Sequence, residues 1–340
     1  MIENTVFSID EIKSQVLKNY NIVINLVEHE DRGSANIFYV TDVENNKYVF
    51  KEFESRCTEE KISQEAEIIY FLKEKGFCVP EYIKTVDGKF YFKCKDRIII
   101  LMKYIYGYTK NPNTGTYQQI MECANLHGKV TKALESYEKL EIVDIKKWYS
   151  KSCIIKARNK YNELIERLGS SALEQKIKAD LQYKLNLLNE LDKFNLEDMQ
   201  YMTLKNCHGD FSIMQFIYDN EKIKAIIDFE RAKYMPISWE IIRAYTHMDM
   251  KCSDGNVDIG NLCDYVKIMM EYIELNKYDL KFMPYIYVFK LATSSYGYEE
   301  YINNSELTDL LEFGFWRTKI CKNIYDNLKK IEHNLVELCW

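Results

Sequence analysis

The stretch NCHGDFSIMQFIYDN, residues 206–220, sets a His-Gly-Asp turn ahead of alternating apolar residues. Such alternation reads as a half-buried strand, so the turn reads as a loop running into it. A second acid, Asp228, follows in AIIDFE. Two carboxylates, each at a strand end and joined by a hairpin, can converge on one small volume. Phosphoryl transfer needs this: one carboxylate accepts the proton of an attacking hydroxyl while another holds magnesium against the phosphates. Asp210 suits the first role and Asp228 the second. A His-Gly-Asp turn alone is also ordinary turn chemistry, and it gains weight only from what surrounds it.

Working outward, Ser8 before IDEIKSQVLKNY reads as a helix N-cap, with Glu11 completing a capping box. NIVINLVEHE, NIFYVTDV and KYVFKEF read as strands, the last two joined by the hairpin signal ENN. Residues 59–75 place Ile62, Ala66, Ile69 and Leu72 on one helical face, and GFCVP stops the helix. GKFYFKCK and DRIIILMKYI read as two more strands. After Gly107 long helical patterns run over about 116–136, 144–168 and 172–193. A strand-loop-strand unit at 203–229 interrupts them, and helices return from about 238. The expectation is an α+β, two-lobed architecture: a small β-rich N-lobe at 1–105 and a larger helical C-lobe at 106–340, with a short linker near 103–112.

The N-terminal third holds counterparts to the two acids. Lys51 stands mid-strand among apolar neighbours, where a lysine is costly unless its ammonium has a partner. Glu65 or Glu67 on the following helix could supply that carboxylate. Between two strands, DRGSANIFYV offers a glycine and small polar residues whose backbone N–H groups could cap phosphate oxygens. His127 reads as a packed structural histidine, and Glu240 as a residue that caps or braces a helix start.

Composition limits the alternatives. The 340 residues carry a formal charge of -6, which argues against a surface built for nucleic acid. The ten cysteines form no C-x-x-C pair, so a structural zinc is not expected. MIENTVFSIDEIKSQ lacks the apolar core of a secretion signal, and no apolar run approaches a membrane span. A cytoplasmic protein with reduced thiols is the expectation, with no membrane partner. Residues 254–312 hold eleven acids against four lysines, a bias that would favour a cationic acceptor such as an amino sugar or choline-like amine.

GSANIFYV, YVFKEF, EAEIIYFL with GFCVP, IILMKYIYGY, ANLHGKV, HGDFSIMQF and IIDFERAKYMPISWEIIRAY follow one another in order through most of residues 20–250. In these motifs the chain resembles the aminoglycoside phosphotransferase and choline kinase family, of protein-kinase-like fold, and is most similar to its spore-coat kinase-like subgroup. The resemblance implies an ATP- and magnesium-dependent phosphotransferase acting on the hydroxyl of a small molecule. It makes Asp210 the catalytic base, Asp228 the magnesium ligand, and Lys51 the phosphate-binding lysine with Glu65 as its partner. Gly33, Ser34 and Asn36 would lie on the nucleotide loop. Met102 would precede a hinge in which the Lys103 carbonyl and the Ile105 amide bind adenine. One position departs: Gln215 stands where relatives carry an Asn that helps hold the metal. The resemblance therefore also admits a catalytically weak or inactive kinase-like structural or interaction protein, such as a spore-coat component with spore-coat partners.

Overall fold

A computed structural model describes residues 3–30 and 35–339. In chain order the elements are α1 (Ile9–Tyr20), β1 (Ile24–Glu30), β2 (Asn36–Asp42), β3 (Lys47–Glu52), α2 (Glu59–Glu74), β4 (Phe92–Cys94) and β5 (Arg97–Lys103). Then come α3 (Tyr117–Leu134), α4 (Lys146–Tyr149), α5 (Lys151–Arg167), α6 (Ala172–Leu191), β6 (Leu204–Cys207), β7 (Phe216–Asp219), β8 (Lys222–Ile226) and β9 (Lys233–Pro236). The rest is helical: α7 (Ile237–Met248), α8 (Ile259–Met270), α9 (Lys277–Ala292), α10 (Tyr298–Asn303), α11 (Thr308–Asp326) and α12 (Leu328–Val336). These elements form two compact units, one running through Thr109 and taking in Gln215–Arg231, the other made of Lys110–Met214 and Ala232 onward. Where the sequence suggested one cut near residue 105, the chain interleaves.

In the first unit, among the described residues, the strands form an antiparallel sheet in the order β1-β2-β3-β5-β4. Ser8 and Glu11 cap α1 with the expected box, and α1 lays Ile12 and Val16 against Phe38, Phe50 and Leu101. Side chains alternate along a strand, so Phe50 faces this cluster and Lys51, opposite Ile100 in the ladder, faces the other way. The β2–β3 turn is held by the Asp42 carboxylate, which accepts from the Glu44 and Asn46 amides at 2.8 Å each. Lys95 and Asp96 turn β4 into β5, and Asn220 and Glu221 turn β7 into β8, each pair with both residues at positive φ. That is the combination whose twist suits a two-residue hairpin. The strand expected over GKFYFKCK is shorter, only Phe92–Cys94, because Thr85–Lys89 folds into a hydrogen-bonded turn just upstream.

The β7–β8 hairpin joins this unit through backbone bonds. Tyr108 and Tyr218 exchange N–H···O bonds of 3.0 and 2.8 Å, and the Ile226 amide donates to the Cys78 carbonyl at 3.0 Å. Gly107 makes the approach possible: its φ is +152°, and a Cβ there would sit 2.4 Å from the Tyr218 oxygen.

The second unit is built on helices. β6 and β9 pair antiparallel from Leu204↔Pro236 to Cys207↔Lys233. Buried Asn206 ties β6 to the end of α3, donating to the Leu134 and Glu138 carbonyls and accepting from the Leu140 amide. The single helix expected over 144–168 is two, because Ser150 adopts an extended conformation that ends α4 and caps α5. α9 packs against α4, α7 and α11. Among the described residues no helix is long and apolar enough to cross a membrane.

Candidate active site

The first unit gathers carboxylates around one ammonium. Lys51, buried on β3, places Nζ 3.3 Å from Asp228 Oδ1 and 3.9 Å from Glu230 Oε2, over the Phe53 ring. Burial alone would lower the lysine's pKa, but the negative charge of Asp228, Glu65 and Glu230 outweighs it and holds the ammonium above its ordinary range. Glu65 is the inward-facing member of the α2 pair and Glu67 the exposed one. α2 packs on the turn Phe229–Arg231, which brings Glu65 toward Asp228 and Glu230. Among the described residues Lys51 has its ion pairs with these two and not with Glu65. Asp228 and Glu230 stay partly solvated, whereas Glu65 is buried and acts on Lys51 only through its charge. Burial pushes the Glu65 carboxyl up to about 7, partly countered by Lys51. Among the described residues neither its Oε2 nor the neighbouring Tyr82 hydroxyl has a well-formed hydrogen bond, and burial together with the Glu65 charge holds the Tyr82 hydroxyl above its ordinary range.

Asp228 occupies the left-handed region at φ +66°, uncommon for a residue other than glycine and a form of strain that collects at functional sites. The Ile227 amide donates to the Gln215 carbonyl at 2.9 Å, so Gln215 and Asp228 end up at the same open end of the β7–β8 hairpin. Among the described residues no group of three or more His, Cys, Asp or Glu is poised to bind a metal. Magnesium does not require one: it takes one or two carboxylates and completes its shell with phosphate oxygens and water. The hard oxygens of Asp228 and the Gln215 amide fit that pattern.

In the second unit, β6 ends at Cys207 and the chain turns through His208 and Gly209 to Asp210, with Gly209 at φ +82°. Glu240 on α7 holds this turn, its fully buried carboxylate accepting from the Gly209 and His208 amides. His127 Nε2 lies 3.2 Å from Glu240, and His127 Nδ1 lies 2.9 Å from the Tyr265 hydroxyl. Phe211 stacks on the His127 ring at 4.1 Å. Burial would raise the Glu240 carboxyl, but the His127 hydrogen bond and the nearby charge and amides bring it below its usual range. His127 is thus structural, as read, and Glu240 braces the Asp210 turn rather than only a helix start. Asp210 itself pairs with Arg243, one turn beyond Glu240 on α7. Arg243 was missed by sequence reasoning; its one signal was the spacing, since residues i and i+3 share a helix face.

The remaining expected site residues lie in the first unit or outside the described residues. Gly33 and Ser34 lie outside. The Asn36 side chain donates to the Glu3 carbonyl at 3.0 Å, which engages it with the N-terminal segment. Met102 bridges to Tyr82, and the Lys103 amide donates to the Glu81 carbonyl at 2.9 Å. Lys103 ends β5, and Ile105 follows it in the chain. A cavity of about 670 Å³ in the second unit, lined by Tyr149, Ile154, Leu191 and Phe194 among others, takes in none of the expected site residues.

The acids of 254–312, whose negative bias would favour a cationic acceptor, lie mostly on the surface or in helix caps. Asp254, Glu271, Glu274, Glu306, Asp309 and Glu312 are exposed on the surface. Asp258, Asp279 and Glu300 cap helices, Asp264 pairs with Tyr117 and Lys267, and Glu299 accepts from Ser295.

Comparison with solved structures returns kinases. Spectinomycin phosphotransferase APH(9)-Ia, in complex with ADP and spectinomycin, is 15% identical, with a TM-score of 0.66 over 94% of this chain and 98% of that one. The amicoumacin kinase hAmiN, in complex with AMP-PNP and Ca2+, is 14% identical with a TM-score of 0.61 over 93% and 94%. The choline kinase LicA from Streptococcus pneumoniae is 14% identical with a TM-score of 0.54 over 93% and 98%. At such identities the likeness is one of fold, the α+β protein-kinase-like fold. No curated protein matched the sequence. The model of the phosphotransferase enzyme family matches residues 27–255, and with two thirds of its length so covered, the chain belongs to that family.

Proposed function

We propose that the protein transfers the γ-phosphate of ATP to the hydroxyl of a small molecule, with magnesium as the metal. The observation that carries this reading is Lys51, buried and ion-paired to Asp228 with Glu65 behind it. The three carboxylates keep this buried lysine charged, and neutralising phosphate oxygens is the task such an ammonium suits. Asp228 and Gln215 would hold magnesium, which when bound neutralises charge on the transferring phosphate. Asp210, set by the Glu240-braced turn and by Arg243, takes the acceptor's proton. The Lys103 carbonyl and Ile105 amide read the adenine edge. The complexes of the structural neighbours with ADP and AMP-PNP support a nucleotide donor.

A second reading, a kinase-like structural or interaction protein with little turnover, of which a spore-coat component is the example, has one observation in its favour: Gln215, one methylene longer than the Asn its position calls for. The test is thermal stability with ATP and magnesium, followed by ADP release with an acceptor panel, for the parent and for Asp210→Asn. Stabilisation by nucleotide in both proteins, with ADP release in the parent only, is expected. No nucleotide stabilisation of the parent would overturn the kinase reading, and stabilisation without ADP release across a broad panel would favour the second one.

A further inference from the structure

Three cations of the second unit stand close together with little to neutralise them. Arg243 is on α7, Lys290 on α9 and Arg317 on α11, and α9 packs against both of the other helices. Among the described residues Arg243 has one carboxylate, Asp210, while Lys290 and Arg317 have no ion pair at all. Aromatic rings link them. Lys290 Nζ lies 4.4 Å from the Trp148 ring, Trp148 meets Trp239 at 5.4 Å, and Trp239 lies 5.8 Å from the Arg243 guanidinium. From the other end, the Arg317 guanidinium is 5.7 Å from the Phe313 ring, which neighbours His247 at 5.8 Å.

Trp239, Arg243 and His247 recur every four residues and so form one stripe of α7. Each has a buried nitrogen without a hydrogen-bond partner among the described residues: Trp239 Nε1, Arg243 Nη1 and His247 Nδ1. Orphaned polar atoms are rare in folded proteins because they forfeit water for nothing. Three along one stripe, beside uncompensated cations, ask for an acceptor from outside the chain. Burial and the mutual repulsion of the cations press His247, Lys290 and Arg317 below their ordinary values, the condition of a cationic cluster lacking an anion.

We propose that the acceptor carries an anionic group, a carboxylate or phosphate in addition to its hydroxyl, and that Arg243, Arg317 and Lys290 bind it along the Trp239–Arg243–His247 stripe. This rests on the phosphotransferase reading and names the substrate class of that activity. An Arg fork and a lysine within one aromatic-walled patch suit a carboxylate or phosphate and repel an amine.

The experiment uses the whole chain and four acceptor probes: D-glycerate, glycerol 3-phosphate, neutral glycerol and cationic choline. Binding is read by calorimetry and phosphorylation by ADP release, for the parent, Arg317→Ala and Arg317→Lys. Saturable binding of D-glycerate or glycerol 3-phosphate is expected, weakened about ten- to a hundredfold in Arg317→Ala, the scale of a lost charged hydrogen bond. Arg317→Lys should keep part of it, which separates charge from packing. Which of the two anions binds tells carboxylate from phosphate. The proposal is overturned if neither anion binds, if choline binds or reacts better than both, or if Arg317→Ala leaves anion affinity unchanged. Stabilisation by ATP and magnesium, measured on the same samples, shows whether the phosphotransferase reading survives that failure.

Discussion

Replacing Glu65 by Gln should make the protein more stable and a poorer phosphotransferase. The Glu65 carboxyl titrates near 7 in the folded chain and near 4.5 when unfolded, because burial disfavours its charge more than Lys51 favours it. Below pH 4.5 the group is neutral in both states and costs nothing. As pH rises, the unfolded chain gives up the proton first, and stability falls until the folded carboxyl has ionised as well. Each pH unit in that window is worth about 1.4 kcal/mol, so above pH 7 the buried charge costs the fold about 3 kcal/mol. Gln keeps the shape and removes the titration. Urea denaturation of parent and variant from pH 5 to 8.5 should show the variant's advantage growing from about 1 to about 3 kcal/mol. ADP release should fall, since Lys51 loses the carboxylate that backs it. A stability difference that stays flat across this range would refute the argument, because it would mean that Glu65 does not ionise within it.

Other expected outcomes are as follows. Lys184 is fully buried between the Leu291 and Ser294 carbonyls, and burial, aided by Arg317, lowers its pKa to about 7. Between pH 7 and 10.5 the unfolded state therefore binds more protons, so the parent should gain up to about 1.4 kcal/mol per pH unit that Lys184→Met lacks; equal slopes in urea melts at pH 7, 8 and 9 would sink this. Gly107→Ala, which drives a Cβ against the Tyr218 carbonyl, should cost about 1–3 kcal/mol; an unchanged thermal midpoint would show that the β7–β8 hairpin is not held there. Gln215→Asn should lower the magnesium needed for turnover, with Asp228→Ala as the inactive control; identical magnesium titrations for all three proteins would remove the metal role from the hairpin's open end.

Much of this was legible in the sequence, and what was not has a physical pattern. Local signals held: the Ser8 capping box, the β2–β3 turn, the 59–74 helix and the strand at Arg97–Lys103 follow from contacts within a few residues of one another. The residues alone leave Glu65 and Glu67 open, and the family resemblance chooses Glu65, the one that the helix turns inward. The break at Ser150 escaped because a serine within an amphipathic run also reads as an ordinary exposed helix residue. The placing of Gln215–Arg231 in the first unit escaped because it depends on the Gly107 and Tyr218 backbones meeting, a contact between distant segments that no periodicity announces. Arg243 escaped because an arginine on a helix reads as solvated until its partner is known. The acids of 254–312 show the converse: composition counts charges and does not say which are caps or surface.

The interleaving of the two units also bears on how the chain is made. Residues through Thr109 leave the ribosome first, yet the segment carrying Asp228 and Glu230 belongs to the same compact unit. At about 5–20 residues per second, the wait from Thr109 to Arg231 is roughly 6 to 24 s. Until then the nascent first unit has Lys51 and Glu65 without the acids that settle the lysine, and Gly107 without the Tyr218 strand it is shaped to meet. The first unit is complete only after more than a hundred later residues have been added.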